Sequence, residues 1–193
     1  MRLFIVITCG LITSLHLYSQ DCKKLDKAKF FQSIKFGEPV PAGLAACTNM
    51  ENGKYFIYDS LSPACKKKHA DLFNFYSVSF GYVRIYVNGK LGIYDVNLLT
   101  FMNPIDSASL ANNKQPEKYN RIYNKMVSLY GKPTSTTDEV DMVMKKIRTV
   151  YWECNDVLVE IVVKYGAERK DLNILTVQIK DKNFEMVPQE TIR

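Results

Sequence analysis

Past residue 19 the chain holds one histidine, His69, in the run Cys65-Lys66-Lys67-Lys68-His69-Ala70-Asp71. An imidazole beside a thiol or hydroxyl could act as the base of a small hydrolase. The same run also reads as an exposed loop histidine beside solvated lysines, and that is the expectation here. Neither a Gly-x-Ser-x-Gly elbow nor a Walker-type phosphate loop occurs. Glu153, Asp156 and Glu160 crowd around a predicted hairpin, where paired carboxylates could do acid–base work. Strand alternation instead sends Glu153 and Glu160 to solvent and gives Asp156 to the turn.

The four residues with most promise are Tyr82, Arg84, Tyr86 and Tyr94. Tyrosine and arginine carry much of the energy of protein interfaces. A three-residue loop at Asn88-Gly89 would set Ile85 against Leu91 and Val83 against Ile93. The tyrosines and Arg84 would then share the opposite face with Lys90. Aliphatic residues make the natural core side, which leaves the tyrosine side for solvent or a partner. Trp152 falls with Val150 and Val159 by parity and is expected in the core.

The cysteines suggest a compartment. Five are present. Cys9 lies in an apolar N-terminal run, leaving Cys22, Cys47, Cys65 and Cys154. An even number in an exported chain implies disulfides, with three possible connectivities. Cys47 and Cys65 bracket one predicted strand and are the first choice, with Cys22 and Cys154 as the residual pair. No Cys-x-x-Cys pair occurs. With one histidine and dispersed thiols, neither a metal site nor any other cofactor is expected.

The N-terminus explains why export is expected. Arg2 precedes the apolar stretch Leu3-Phe4-Ile5-Val6-Ile7-Thr8-Cys9-Gly10-Leu11-Ile12, and Tyr18-Ser19-Gln20-Asp21 follows. This has the form of a signal peptide over residues 1–19, cut after Ser19. The run is shorter than the roughly 20 apolar residues a membrane span needs. Residues 20–193 then form one mature domain, with possible sub-units 22–104 and 112–185. Cleavage removes Arg2 and no acidic residue, so the formal charge of +6 falls by one. The basic residues are scattered and no recognition helix is evident, so nucleic acid is not an expected partner.

Several elements must position these residues. Apolar spacing predicts a helix over 22–36, ended by Gly37 and Pro39, and a short helix after Pro41. Residues 55–58 read as a strand, 62–69 as a loop, and 72–101 as β-rich. Asn103 to Gln115 is a polar linker. Tyr119, Ile122, Tyr123, Met126, Val127 and Tyr130 form one helical stripe, stopped by Gly131. Residues 134–146 fit either a strand or a short helix. Strands over 148–154 and 157–165 should meet through Asn155-Asp156, with Val150 on Ile161 and Trp152 on Val159. A last strand spans 175–179. Both halves place a helix and a Gly-x-Pro stop (Gly37-Glu38-Pro39, Gly131-Lys132-Pro133) before a meander. The fold class is therefore α+β: helices packed on one face of an antiparallel meander sheet, as two imperfect helix-plus-meander repeats.

Leu129-Tyr130-Gly131-Lys132-Pro133 after a helix, then Tyr151-Trp152 on a strand, resembles the small envelope lipoproteins of the outer-membrane assembly machinery. It is also similar to the β-lactamase-inhibitory-protein fold. The likeness covers residues 116–180, with an echo over 30–101. It implies helices ahead of a curved antiparallel sheet and protein binding without catalysis. The chain lacks the lipoproteins' lipidation cysteine. The end of the leader resembles those of exported bacterial proteins. The expected function is thus a periplasmic or secreted, non-catalytic binding protein, its partner another envelope protein. A small hydrolase using His69 and an enzyme inhibitor are the alternatives.

Overall fold

The computed structural model describes residues 20–47, 49–51, 54–58, 63–88, 92–103, 115–140, 146–166 and 173–184. Residues 1–19, most of the polar linker and the C-terminal residues after 184 lie outside the described residues. So do Gly89, Lys90 and Leu91 of the tyrosine hairpin.

The chain begins with α1 (Cys22–Asp26) and α2 (Ala42–Ala45), then the hairpin β1 (Asn49–Glu51) and β2 (Lys54–Tyr58). Two short helices follow, α3 (Pro63–Lys68) and α4 (Ala70–Phe73), and lead into a small hairpin, β3 (Asn74–Phe75) and β4 (Val78–Ser79). Next come β5 (Tyr82–Asn88) and β6 (Gly92–Phe101). The second half is α5 (Glu117–Tyr130), β7 (Ser135–Glu139), β8 (Lys146–Glu153), β9 (Val157–Tyr165) and β10 (Ile174–Asp181). A 3-10 turn, Lys182–Phe184, ends the described chain.

Eight strands make one antiparallel sheet in the order β1-β2-β5-β6-β10-β9-β8-β7. The last strand of each half meets the other at the centre, β6 against β10, and earlier strands lie progressively outward. Alternation along the strands gives the sheet one apolar face. Val83, Ile85, Val96, Leu98, Leu175, Val177, Val159, Ile161 and Val163 are all buried on it. With its helices on this one side, the protein is α+β.

Helix α5 covers that face. Tyr119, Ile122, Met126 and Tyr130 are its buried stripe, and Glu117 pairs with Arg121 one turn later on the exposed side. Gly131 stops the helix at φ 81°, a conformation that favours glycine. Its carbonyl accepts the indole N–H of Trp152 at 2.9 Å, which locks helix end to sheet. The Tyr123 ring meets Trp152 edge-on at 5.7 Å. The β8–β9 register is the one the sequence predicts, with Val150 opposite Ile161 and Trp152 opposite Val159.

Three local expectations are corrected. The helix expected over 22–36 stops after Asp26. Beyond it the backbone N–H groups of Gln32 and Ser33 donate to the Asp71 carboxylate, 2.8 and 2.9 Å away, instead of closing helical turns. The halves therefore differ at their Gly-x-Pro signatures, since no helix runs into Gly37. The loop expected over 62–69 is largely α3, opened by Pro63 at its first position. The hairpin register is also different. Val83 faces Leu98 and Ile85 faces Val96: the strands already pair Asn88 with Gly92 and Val87 with Ile93, an offset the expected turn does not give, and a bulge in β6 opposite Tyr86 and Val87 shifts the pairs beyond it by one more.

Disulfides join Cys22 to Cys154 and Cys47 to Cys65. The first spans 132 residues and clamps α1 onto the turn after β8. Asp26 reinforces the clamp by accepting the backbone N–H groups of Asp156 and Val157. Gly92 fits its site for a related reason. It sits at φ 77°, and a Cβ there would lie 2.5 Å from the Glu38 carbonyl oxygen. Ile93 exchanges backbone hydrogen bonds with Gly37 and Glu38 at this approach.

Candidate binding site on the open sheet face

The residues that alternate with the core set point to the other face of the sheet, and strand pairing sorts them into rows. Tyr82, Leu99, Thr176 and Val162 are successive partners across β5, β6, β10 and β9. The next row is Arg84, Asn97, Gln178 and Glu160, with Tyr151 of β8 beyond. On the other side of the first row, Phe101, Ile174 and Lys164 line up. Four strands spaced about 4.8 Å apart make each full row roughly 14 Å wide.

These rows floor an open cavity of about 510 Å³, lined from Tyr82, Leu99, Val162 and Phe101 on the apolar side and from Arg84, Asn97, Glu160, Lys164, Thr176 and Gln178 on the polar side. That volume lies in the range of small-ligand sites, about 300–1,000 Å³. Tyr82 and Phe101 are 43% and 47% exposed, although both are large and apolar. Their rings meet edge-to-face, with centroids 5.9 Å apart and planes at 87°.

The flank of the cavity is a polar network. Gln178 donates from Nε2 to Oδ2 of Asp95 at 2.6 Å, and Asp95 is buried despite its charge. Arg84 donates from Nη1 to the Tyr86 hydroxyl at 3.2 Å. Tyr86 and Tyr94 come within 6.3 Å of each other, ring to ring. The bulge explains this, because the extra residue brings Tyr94 beside Tyr86 and Asp95. Burial pushes the Tyr94 hydroxyl above its ordinary pKa, and the Asp95 charge adds to the effect. The Tyr151 hydroxyl is raised too, first by burial and then by Glu160 and Glu139.

Of the four residues singled out in the sequence, Tyr82 and Arg84 line the cavity, while Tyr86 and Tyr94 form its flank. Asn97, Leu99, Phe101, Val162, Lys164, Thr176 and Gln178 were missed. Period-2 alternation in β6, β9 and β10 carries the signal for all seven, once the order of the strands is known.

The other candidates lie elsewhere. His69 is not in an exposed loop. It sits in the turn between α3 and α4 and is 5% exposed. Its N–H donates to the Cys65 carbonyl and its carbonyl accepts from Leu72, and the buried Leu72 and Phe73 follow it in α4. Neither ring nitrogen has a hydrogen-bond partner among the described residues. Cys65 is bonded to Cys47, so the pair Cys65/His69 has no thiolate to offer. The three carboxylates do not converge. Glu153 pairs with Lys182, Asp156 accepts from Asn183, and Glu160 lies across from Tyr151 on the neighbouring strand. Among the described residues no group of three or more His, Cys, Asp or Glu side chains could hold a metal ion. No helix among them is long and apolar enough to cross a membrane. The two disulfides point to an oxidising compartment outside the cytoplasm.

No family model matches the chain. Curated proteins and solved structures likewise return no match. The likeness to envelope lipoproteins therefore rests on the quoted residues alone.

Proposed function

We propose that this is an exported, non-catalytic binding protein that engages another envelope protein through the open face of its sheet. Residues 1–19 are its signal peptide, and 20–193 act as one mature domain in the periplasm or outside the cell. One observation supports the reading above others: Tyr82 and Phe101 stand exposed over a cavity on a face that no described helix covers. Exposed aromatic groups beside a concavity are the usual anchors of recognition. Arg84, Tyr86 and Tyr94 extend the surface along β5 and β6. The test is capture of partners from the native cell envelope, comparing wild type with the double variant Tyr82→Ala/Phe101→Ala. A partner held by the wild type and lost by a folded double variant is the expected result. Equal retention by both proteins overturns the reading.

A further inference from the structure

We infer that the cavity takes an apolar side chain from an extended, acidic peptide segment of the partner. This rests on the open face being the binding surface, and it names what that surface recognises. The Tyr82–Phe101 corner carries the argument. A sugar ring stacks on an aromatic ring that offers it a flat platform. Two rings at 87° form a corner instead, which walls an inserted side chain on two sides. Leu99 and Val162 supply apolar surface beside it. The volume of about 510 Å³ suits a short stretch of chain around one anchor residue.

The adjoining row suits a peptide backbone. Asn97 and Gln178 present carboxamides, which carry donors and an acceptor as a peptide unit does. Gln178 commits its nitrogen to Asp95, so its carbonyl oxygen is the acceptor for a peptide N–H. Charge sets the flanking preference. The lining holds two cations, Arg84 and Lys164, against one anion, Glu160, in a chain that stays net basic after Arg2 is lost. Carboxylates next to the anchor residue complete that complementarity.

The test selects phage-displayed random heptapeptides on the disulfide-bonded exported chain. Synthetic copies of the winners are then titrated by fluorescence anisotropy against wild type, Phe101→Ala and Lys164→Glu. Each variant is first checked for an unchanged melting temperature. The expected winners carry an aliphatic or aromatic residue within two positions of Asp or Glu. Phe101→Ala weakens them at least tenfold, and Lys164→Glu moves the selection toward basic peptides. Winners without acidic residues, or a selection unmoved by Lys164→Glu, overturn the proposal. Cellobiose and chitobiose are titrated in parallel by calorimetry. Disaccharide binding that Phe101→Ala abolishes, with no peptide enriched, overturns the peptide class and keeps the face as the binding surface. No binding of either kind, together with envelope capture insensitive to Phe101→Ala, overturns the site as well.

Discussion

The two faces of this sheet are made by the same strands, yet they differ in chemistry. Along β5 and β6 the covered face reads Val83, Ile85, Val96 and Leu98, while the open face reads Tyr82, Arg84, Asn97 and Leu99. Aliphatic groups attract without direction, so a face built from them is suited to being buried and to little else. The open face mixes a perpendicular aromatic corner, two carboxamides and charges of both signs, all directional groups. Stability should therefore reside on one face and recognition on the other. Substitutions that separate the two properties test this division.

The largest effect is expected at Trp152. Its side chain is fully buried, donates to the Gly131 carbonyl and touches Tyr123. Trp152→Ala opens a large cavity and leaves that carbonyl without its partner, so urea unfolding should show a loss of about 3–5 kcal/mol. A loss below about 1 kcal/mol would mean that the helix–sheet layer is not where the stability resides.

A smaller, pH-dependent effect is expected where the helix side of the sheet reaches its edge. Arg148 lies directly opposite Asp138 and makes two hydrogen bonds to its carboxylate, at 2.7 and 2.6 Å. These bonds hold the Asp138 pKa below its ordinary value. A depressed carboxylate stabilises the fold above its unfolded pKa, and the gain is lost as pH falls through the folded value. Both side chains are partly exposed, so solvent screening keeps the contribution under about 1 kcal/mol. Asp138→Asn should thus lower the melting point slightly at pH 7, and the two proteins should converge at pH 2–3. A difference that persists undiminished in acid would show that the pair acts by packing rather than by charge.

How much of this was legible in the sequence differed between the two hairpins. In β8–β9 the turn Asn155-Asp156 joins two strands that keep strict alternation, so counting from the turn set Val150 and Trp152 opposite Ile161 and Val159. In β5–β6 the same counting failed. The strands pair Asn88 with Gly92 and Val87 with Ile93, which a turn centred on Asn88-Gly89 does not give, and the bulge then adds a residue to one strand only and shifts every pair beyond it by one more. Parity along β5 survived, which is why Tyr82 and Arg84 could be picked out, but their neighbours Asn97 and Leu99 could not. The break after Asp26 was hidden for another reason. Further on, Asp71, a residue far along the chain, takes the backbone N–H groups of Gln32 and Ser33, and nothing local to 22–36 announces that partner. Gln178 and Lys164 were hidden because the central pairing of β6 with β10 joins the two halves, and no local signal reports a contact that long in sequence.

The smallest effect on stability is expected at Lys164, and it bears most directly on the division of the faces. Lys164 and Val163 are neighbours on β9 with opposite outlooks. Val163 is fully buried on the covered face, and Lys164 lines the cavity on the open one. Removing the charge with Lys164→Gln keeps a long polar side chain and disturbs no buried group. The unfolding free energy should move by no more than about 0.5 kcal/mol, the usual range for a surface change. Binding of acidic heptapeptides should nonetheless weaken, and the deficit should shrink as salt is added, because screening removes the contribution that the lysine makes. If Lys164→Gln destabilises the protein as strongly as a core truncation, the open face shares the structural duty of the covered one and the division fails. If it changes neither stability nor salt dependence, the positive charge at the cavity is not part of recognition.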